Sequence, residues 1–245
     1  MNDQQHEGVR PARPHQNLND DGRTVREVLT YARRGSRLNT PRQQRGWEAY
    51  AEQWVIPDEA VDAPGFAWAD WFGREAPMVV EIGGGVGEAT AALAAARPEV
   101  NVLSLEVWVP GVAEGMWRVG EAGATNVRFC SVDAVWTLEH LVAEQALAEL
   151  WTFFPDPWHK TRHHKRRLVN EENARLIASR LAPGAAWRLA TDWEHYAEQI
   201  VEVLDAEPLL EGGAVERWAE RPVTKFERKG LAKDRTIADL LYRRV

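Results

Sequence analysis

Residues 78–90 read MVVEIGGGVGEAT, and this stretch decides the fold. Met78 to Ile82 is an apolar run of strand length, it breaks on Gly83, Gly84, Gly85 and Gly87, and a helical pattern follows from Glu88 to Arg97. Glycine accepts left-handed backbone and lets a ligand approach the main chain, so strand, glycine turn and helix together read as a small-molecule cradle. A GxGxxG dinucleotide fingerprint begun at Gly83 needs glycine at position 88, where the chain carries Glu88. No Gly-Lys-Ser/Thr follows the glycines to form a phosphate-binding P-loop. Hydride transfer and nucleoside triphosphate chemistry are both disfavoured.

Outward from this stretch the same alternation continues. Strands are expected at NVLSLEV (101–107), NVRFCSV (126–132), ELWTFF (149–154), AAWRLAT (185–191) and IADLLYRR (237–244). Helices are expected at Pro110–Ala122, near Glu171–Leu181 and near His195–Leu204. The fold class is therefore α/β, a doubly wound, mostly parallel Rossmann-like sheet, whose ligands gather outside the carboxyl ends of the strands. Glu106 stands about twenty residues beyond the glycines, where a ribose diol presents two hydroxyl donors to a carboxylate. Glu81 precedes the turn and Asp133 follows the third strand. Taken singly, each could be a solvated strand-end carboxylate; in sequence on successive strands they line a cleft that repels pyrophosphate and tolerates a sulfonium cation. S-adenosylmethionine suits Glu81, Gly83, Gly85, Gly87, Glu106 and Asp133 better than a dinucleotide does.

Composition bounds the rest. The 245 residues carry 30 Lys and Arg against 37 Asp and Glu, a formal charge of −7, so any nucleic-acid contact has to use a local patch. Hydrophobic residues make up 44%, enough for a real core. Cys130 is the one cysteine, which excludes an intramolecular disulfide and multi-cysteine zinc sites and fits a reducing cytoplasm. It reads as a small buried hydrophobe, and the Trp residues as core fillers. Residues 1–24 read as a flexible polar tail without signal-peptide character, and no stretch is apolar enough to span a membrane. Residues 25–60 read as a basic arm with short helices, bearing Arg26, Arg33, Arg34, Arg37, Arg42 and Arg45, or else simply as a solvated helical face. Residues 61–245 form the catalytic domain in this reading. No obligatory protein partner is evident.

The fourth strand runs into LWTFFPDPWHKTRHHKRRLVN, residues 150–170. Phe154-Pro155-Asp156-Pro157-Trp158, then Lys160 and Arg162-His163-His164-Lys165-Arg166-Arg167, resembles the bacterial tRNA (guanine-N7-)-methyltransferase family, whose usual form is close to FPDPWPKKRHHKRR. The likeness extends through LATDWEHYAEQI (189–200), RPVTKFERKG (221–230) and the closing ADLLYRR, and takes in RRGSRLNTPRQ (33–43) of the arm. His159, Thr161 and Lys229 depart from the family pattern.

The resemblance implies methyl transfer from S-adenosylmethionine to N7 of guanine in tRNA, usually at position 46 of the variable loop. It implies that Glu81, Glu106, Asp133 and Asp156 line the cofactor site. Lys160, Asp192, Thr224, Lys225, Phe226 and Glu227 would face the RNA, and residues 162–167 its phosphates. Guanine N7 already presents a lone pair, so positioning should dominate and no proton need be removed. Asp156, stiffened by a proline on each side, is the candidate catalytic residue because a carboxylate there can stabilise the positive charge arriving on the purine; a purely structural turn is the alternative. Asp192 could bond the guanine's N1 and exocyclic amine. Adjacent His163 and His164 diverge and have no completing ligands, so no metal is expected. Three other readings are a methyltransferase for a small molecule or protein, a tRNA-binding protein without activity, and a nicotinamide oxidoreductase.

Overall fold

The computed structural model describes residues 28–32 and 34–245. The expected tail, with Arg26 and Arg33 of the arm, lies outside the described residues.

Strand β2 (Met78–Ile82) sits centrally in an eight-stranded sheet with β1 (Val55–Ile56), β3 (Asn101–Leu105), β4 (Val127–Cys130), β5 (Leu147–Phe153), β6 (Leu181–Thr191), β7 (Leu210–Val215) and β8 (Ala238–Arg244). The order is β1-β4-β3-β2-β5-β6-β8-β7, and only β8 runs antiparallel to its neighbours. The chain thus leaves β2 toward β3 and β4, then returns to β5 on the opposite side of β2, which makes the β2/β5 junction the switch point. The six strands read from the sequence are all present. Strands β1 and β7 were not legible: the first is two residues long, and the second carries Gly212 and Gly213, which lower strand propensity.

Both faces of the sheet are covered, which is why its strands read as continuous apolar runs rather than alternating ones. Val79, Val102, Phe129 and Trp151 point to the face of α1 (Pro41–Trp54), α3 (Glu88–Ala96) and α4 (Val109–Glu121). Val80, Leu103, Leu150 and Trp187 point to the face of α5 (Ala134–Leu141), α6 (Glu171–Arg180) and α7 (Glu194–Asp205). Each such fully buried large side chain contributes about 1.5–3 kcal/mol. Cys130 is buried among them, as its size suggests.

In the arm the expected short helices are one 14-residue helix, α1. Thr40 and Gln43 close a capping box at its start: the Thr40 hydroxyl accepts the Gln43 N–H at 3.2 Å, and the Gln43 carboxamide accepts the Thr40 N–H at 3.2 Å. Pro41 occupies the first turn, where its missing N–H costs nothing. The helix packs on α4 and delivers β1 to the edge of the sheet beside β4.

Candidate active site

The carboxyl ends of β4, β3, β2 and β5 are neighbours, and each ends on an acidic residue or leads directly into one. At β2, Glu81 is buried and its carboxyl accepts the Thr90 hydroxyl from α3. Burial, with the nearby Glu106 charge, outweighs that bond and pushes the Glu81 carboxyl up to about 7. At β3, Glu106 accepts the Gly85 N–H at 2.7 Å through one oxygen and the Trp108 N–H at 2.7 Å through the other. Burial still leaves its carboxyl above the usual range. At β4, Asp133 caps α5 by accepting the Trp136 N–H at 2.9 Å. Three of these four partners are backbone N–H groups, and the Arg34 charge from the arm also favours the ionised Glu106.

The glycine turn explains its own composition. Gly83, Gly85 and Gly87 have φ of 78°, 59° and 76°, the left-handed region that side-chain-bearing residues avoid. A Cβ on Gly87 would come within 2.4 Å of Gly115 Cα in α4, so backbone packs on backbone there. A Cβ on Gly83 would meet nothing within 4 Å, so the turn faces open space.

Asp156 follows β5 in a turn held by unusual backbone. Phe154 and Trp158, on either side of Pro155-Asp156-Pro157, have φ of 54° and 47°. Such conformations cost about 1 kcal/mol or more in a non-glycine residue and persist only when the surroundings impose them. Here the surroundings do: Phe154 N donates to Ala190 O at 2.7 Å, and Arg167 Nε donates to Pro157 O at 2.9 Å. The arm reaches this turn as well. Ala32 N lies 3.4 Å from Asp156 Oδ2, Trp158 Nε1 donates to Thr30 O at 3.1 Å, and the Arg34 guanidinium stands 5.3 Å from the Trp108 ring centre beside Glu106. Residues 29–32 therefore lie against the Asp156 turn, and Arg34 stands at the end of β3.

The basic run is divided by the 3-10 turn Thr161–Arg166 that carries it. Lys160, Arg162 and Lys165 are exposed. Arg166 turns inward, stacked on Trp158 at 3.7 Å and donating to Leu29 O at 2.9 Å and Tyr31 O at 2.7 Å. Arg167 is 0% exposed; besides Pro157 it bonds Gln199 and touches the rings of His164 at 3.2 Å and His195 at 3.3 Å. The sequence reading places all of residues 162–167 on phosphate; Arg167 is fully buried with its donors on protein partners, whereas Arg166 is half-buried and commits its Nε and one terminal nitrogen to the arm. His163 lies near the Trp158 ring, and His164 faces Arg167 rather than solvent alone. Among the described residues no group of three or more His, Cys, Asp or Glu could hold a metal.

Opposite lies helix α8 (Lys225–Leu231), capped by Thr224, whose hydroxyl accepts the Glu227 N–H at 3.4 Å. Glu227 was read as facing RNA; it is 2% exposed and paired with Arg217 at 2.7 Å and Arg221 at 2.6 Å. Arg221, itself fully buried, also holds Asp239 of β8 at 2.8 Å and lies over the rings of Phe153 and Phe154. Phe226 remains half-exposed above the glycine turn, and the Lys225 side chain is exposed. Asp192, just past β6, pairs with Arg235 at 2.6 Å, and Arg235 stacks on Trp193. Sequence reasoning missed Arg217, Arg221, Arg235 and Glu88. Only the RPVTKFE likeness offered a signal, for Arg221.

A doubly wound sheet with a carboxylate-lined glycine turn at its switch point is the architecture of an α/β protein of the methyltransferase class. A methyltransferase family model, described as "Putative methyltransferase", matches residues 75–240. The tRNA (guanine-N(7)-)-methyltransferase of Nocardioides sp. is 68% identical over 97% of this chain and 96% of its own length. Its counterpart in Cutibacterium acnes is 47% identical over 91% of this chain and 85% of its own, and that of Burkholderia cenocepacia 45% over 89% and 86%. The chain belongs to the tRNA (guanine-N7-)-methyltransferase family.

Proposed function

We propose that this protein transfers the methyl group of S-adenosylmethionine to N7 of a guanine in tRNA, at position 46 of the variable loop. The observation that carries the reading is the meeting, at the ends of β2 and β5, of the carboxylate-lined glycine turn with the Asp156 turn and its exposed cations. When bound, S-adenosylmethionine supplies an electrophilic methyl on a cationic sulfur. The residues present suit it: Glu106 stands where a ribose diol needs acceptors, and the turn at Gly83 faces open space. Glu81 and Asp133 add the negative potential that a sulfonium favours.

Glu81, Glu106 and Asp133 would hold the cofactor at the glycine turn, from which the methyl carbon would pass to N7, a neutral thioether would leave and the purine would take up the positive charge. The acceptor nitrogen loses no proton. Asp156 is the catalytic residue of this reading, stabilising the emerging purine cation from a backbone too constrained to reorganise. Lys160, Arg162 and Lys165 hold RNA phosphates, while Arg166 and Arg167 position the turn that carries Asp156. Asp192 and the exposed Lys225 and Phe226 face the base, while Thr224, expected there as well, is buried and caps α8 from beneath. A tRNA substrate places this work in the cytoplasm; no helix among the described residues is long and apolar enough to cross a membrane.

The test is incubation with labelled S-adenosylmethionine and unmodified tRNA transcripts, then nucleoside mass analysis and mapping of the modified base. N7-methylguanosine at a single variable-loop position is expected. Binding of both ligands without transfer would favour an inactive RNA-binding protein, and transfer only to non-RNA acceptors would overturn the substrate.

A further inference from the structure

Glu88 is the residue at which the glycine turn departs from the dinucleotide fingerprint, and the chemistry above leaves it without a task. It opens α3 directly after Gly87, yet its partners lie at the far end of the chain. One carboxylate oxygen accepts the guanidinium of Arg228 at 2.7 Å, and the other accepts the backbone N–H of Lys225, 140 and 137 residues away. The second arm of Arg228 donates to Val223 O at 2.5 Å, so the same guanidinium also ties down the segment entering α8. Partial burial works against the charge, but Arg228 and the Lys225 N–H outweigh it and hold the Glu88 carboxyl below its usual range. Between the two anchored residues stands Phe226, 46% exposed, with its ring edge 3.9 Å from where a Cβ on Gly85 would sit.

We propose that Glu88 is a positioning residue that registers α8, and with it the acceptor base, against the glycine turn that holds the methyl donor. The inference rests on the methyl-transfer reading. Its physical basis is a separation of magnitudes. An ion pair near the surface adds little to stability, so Glu88 is a poor device for holding the fold together. A displacement of about 1 Å between reacting groups, however, costs about 100-fold in rate. A contact joining the donor-binding loop to the acceptor-binding helix therefore acts on alignment far more than on folding.

Single-turnover transfer at saturating cofactor and tRNA would be compared for the wild type, Glu88→Ala, Arg228→Ala and the double variant. Glu88→Ala is expected to slow the step about tenfold, with cofactor affinity within about threefold and the thermal midpoint within about 3 °C. The double variant is expected to be no slower than the slower single one, because one interaction is being removed. A wild-type rate in Glu88→Ala, multiplying losses in the double variant, or a fall in cofactor affinity that accounts for the rate would overturn the proposal. Hydrogen exchange at the Lys225 amide, measured without substrates, keeps the two readings apart. Faster exchange in Glu88→Ala supports the anchor, and unchanged exchange overturns it, whereas a wild type that does not methylate tRNA overturns the function instead.

Discussion

On the cofactor side of the cleft, Glu106 is held by the N–H groups of Gly85 and Trp108, Asp133 by that of Trp136, and Glu81 by a hydroxyl nine residues on. On the substrate side, the groups hold one another: Arg167 with Gln199, Asp192 with Arg235, Arg221 with Glu227 and Asp239, Glu88 with Arg228. A backbone amide survives every substitution except one to proline, whereas each of these side-chain pairs can be broken by truncating either partner; on the cofactor side the Glu81–Thr90 contact is of that second kind. The cofactor half should accordingly keep its shape under mutation, while the substrate half should lose either its shape or its function depending on which cation is removed.

The largest effect is expected at Arg221. Replacing it with Ala leaves Asp239 buried without its cation and Glu227 with Arg217 alone, and should cost about 3–5 kcal/mol in urea unfolding; a loss below about 1 kcal/mol would mean that the Arg221 pairs are not what holds α8. At Asp156 the contrast is with stability. Asp156→Ala should lower turnover about 100- to 1000-fold while tRNA affinity changes by only a few-fold, and equal losses in rate and binding would reject the catalytic role.

Glu81 tests the cofactor half through pH. Its carboxyl is raised mainly by burial, to about 7, so the stabilisation it gives is complete below the ordinary value of 4.5 and is lost as pH rises through 7. Glu81→Gln lacks that loss and should be more stable than the wild type at pH 8 by up to about 3 kcal/mol. Parallel stability profiles of the two proteins from pH 5 to pH 8 would show that Glu81 does not titrate there. The smallest effect belongs to the exposed cations. Arg162→Ala or Lys165→Ala should each lower the slope of log tRNA affinity against log salt by about 1 with an unchanged thermal midpoint. Arg167→Ala should lower the midpoint and leave the slope alone, and the reverse pattern would invert the assignment of inner and outer arginines.

Much of this was legible in the sequence. Period, glycine turn and strand ends gave six of the strands and located Glu81, Glu106 and Asp133, because these residues stand at or just beyond the ends of strands whose apolar runs are written locally. The basic run marked a cationic surface but not which cations reach it: Arg162 and Arg167 are the same residue type five positions apart, and only the 3-10 turn decides that one is exposed and the other fully buried. Glu227 reads as an accessible helix residue until Arg217 and Arg221 are seen to cover it.

By itself, then, the sequence determined the doubly wound sheet, the cradle at Gly83–Gly87 and the family, since local propensity and short-range spacing are written in neighbouring residues. Only the tertiary structure decided that Arg166 and Arg167 bond within the protein while Arg162 and Lys165 stay exposed, and that Glu88 meets Lys225 and Arg228. A charge's partner is set by where distant segments pack, and the free energy of burying or pairing it is fixed only when those segments meet.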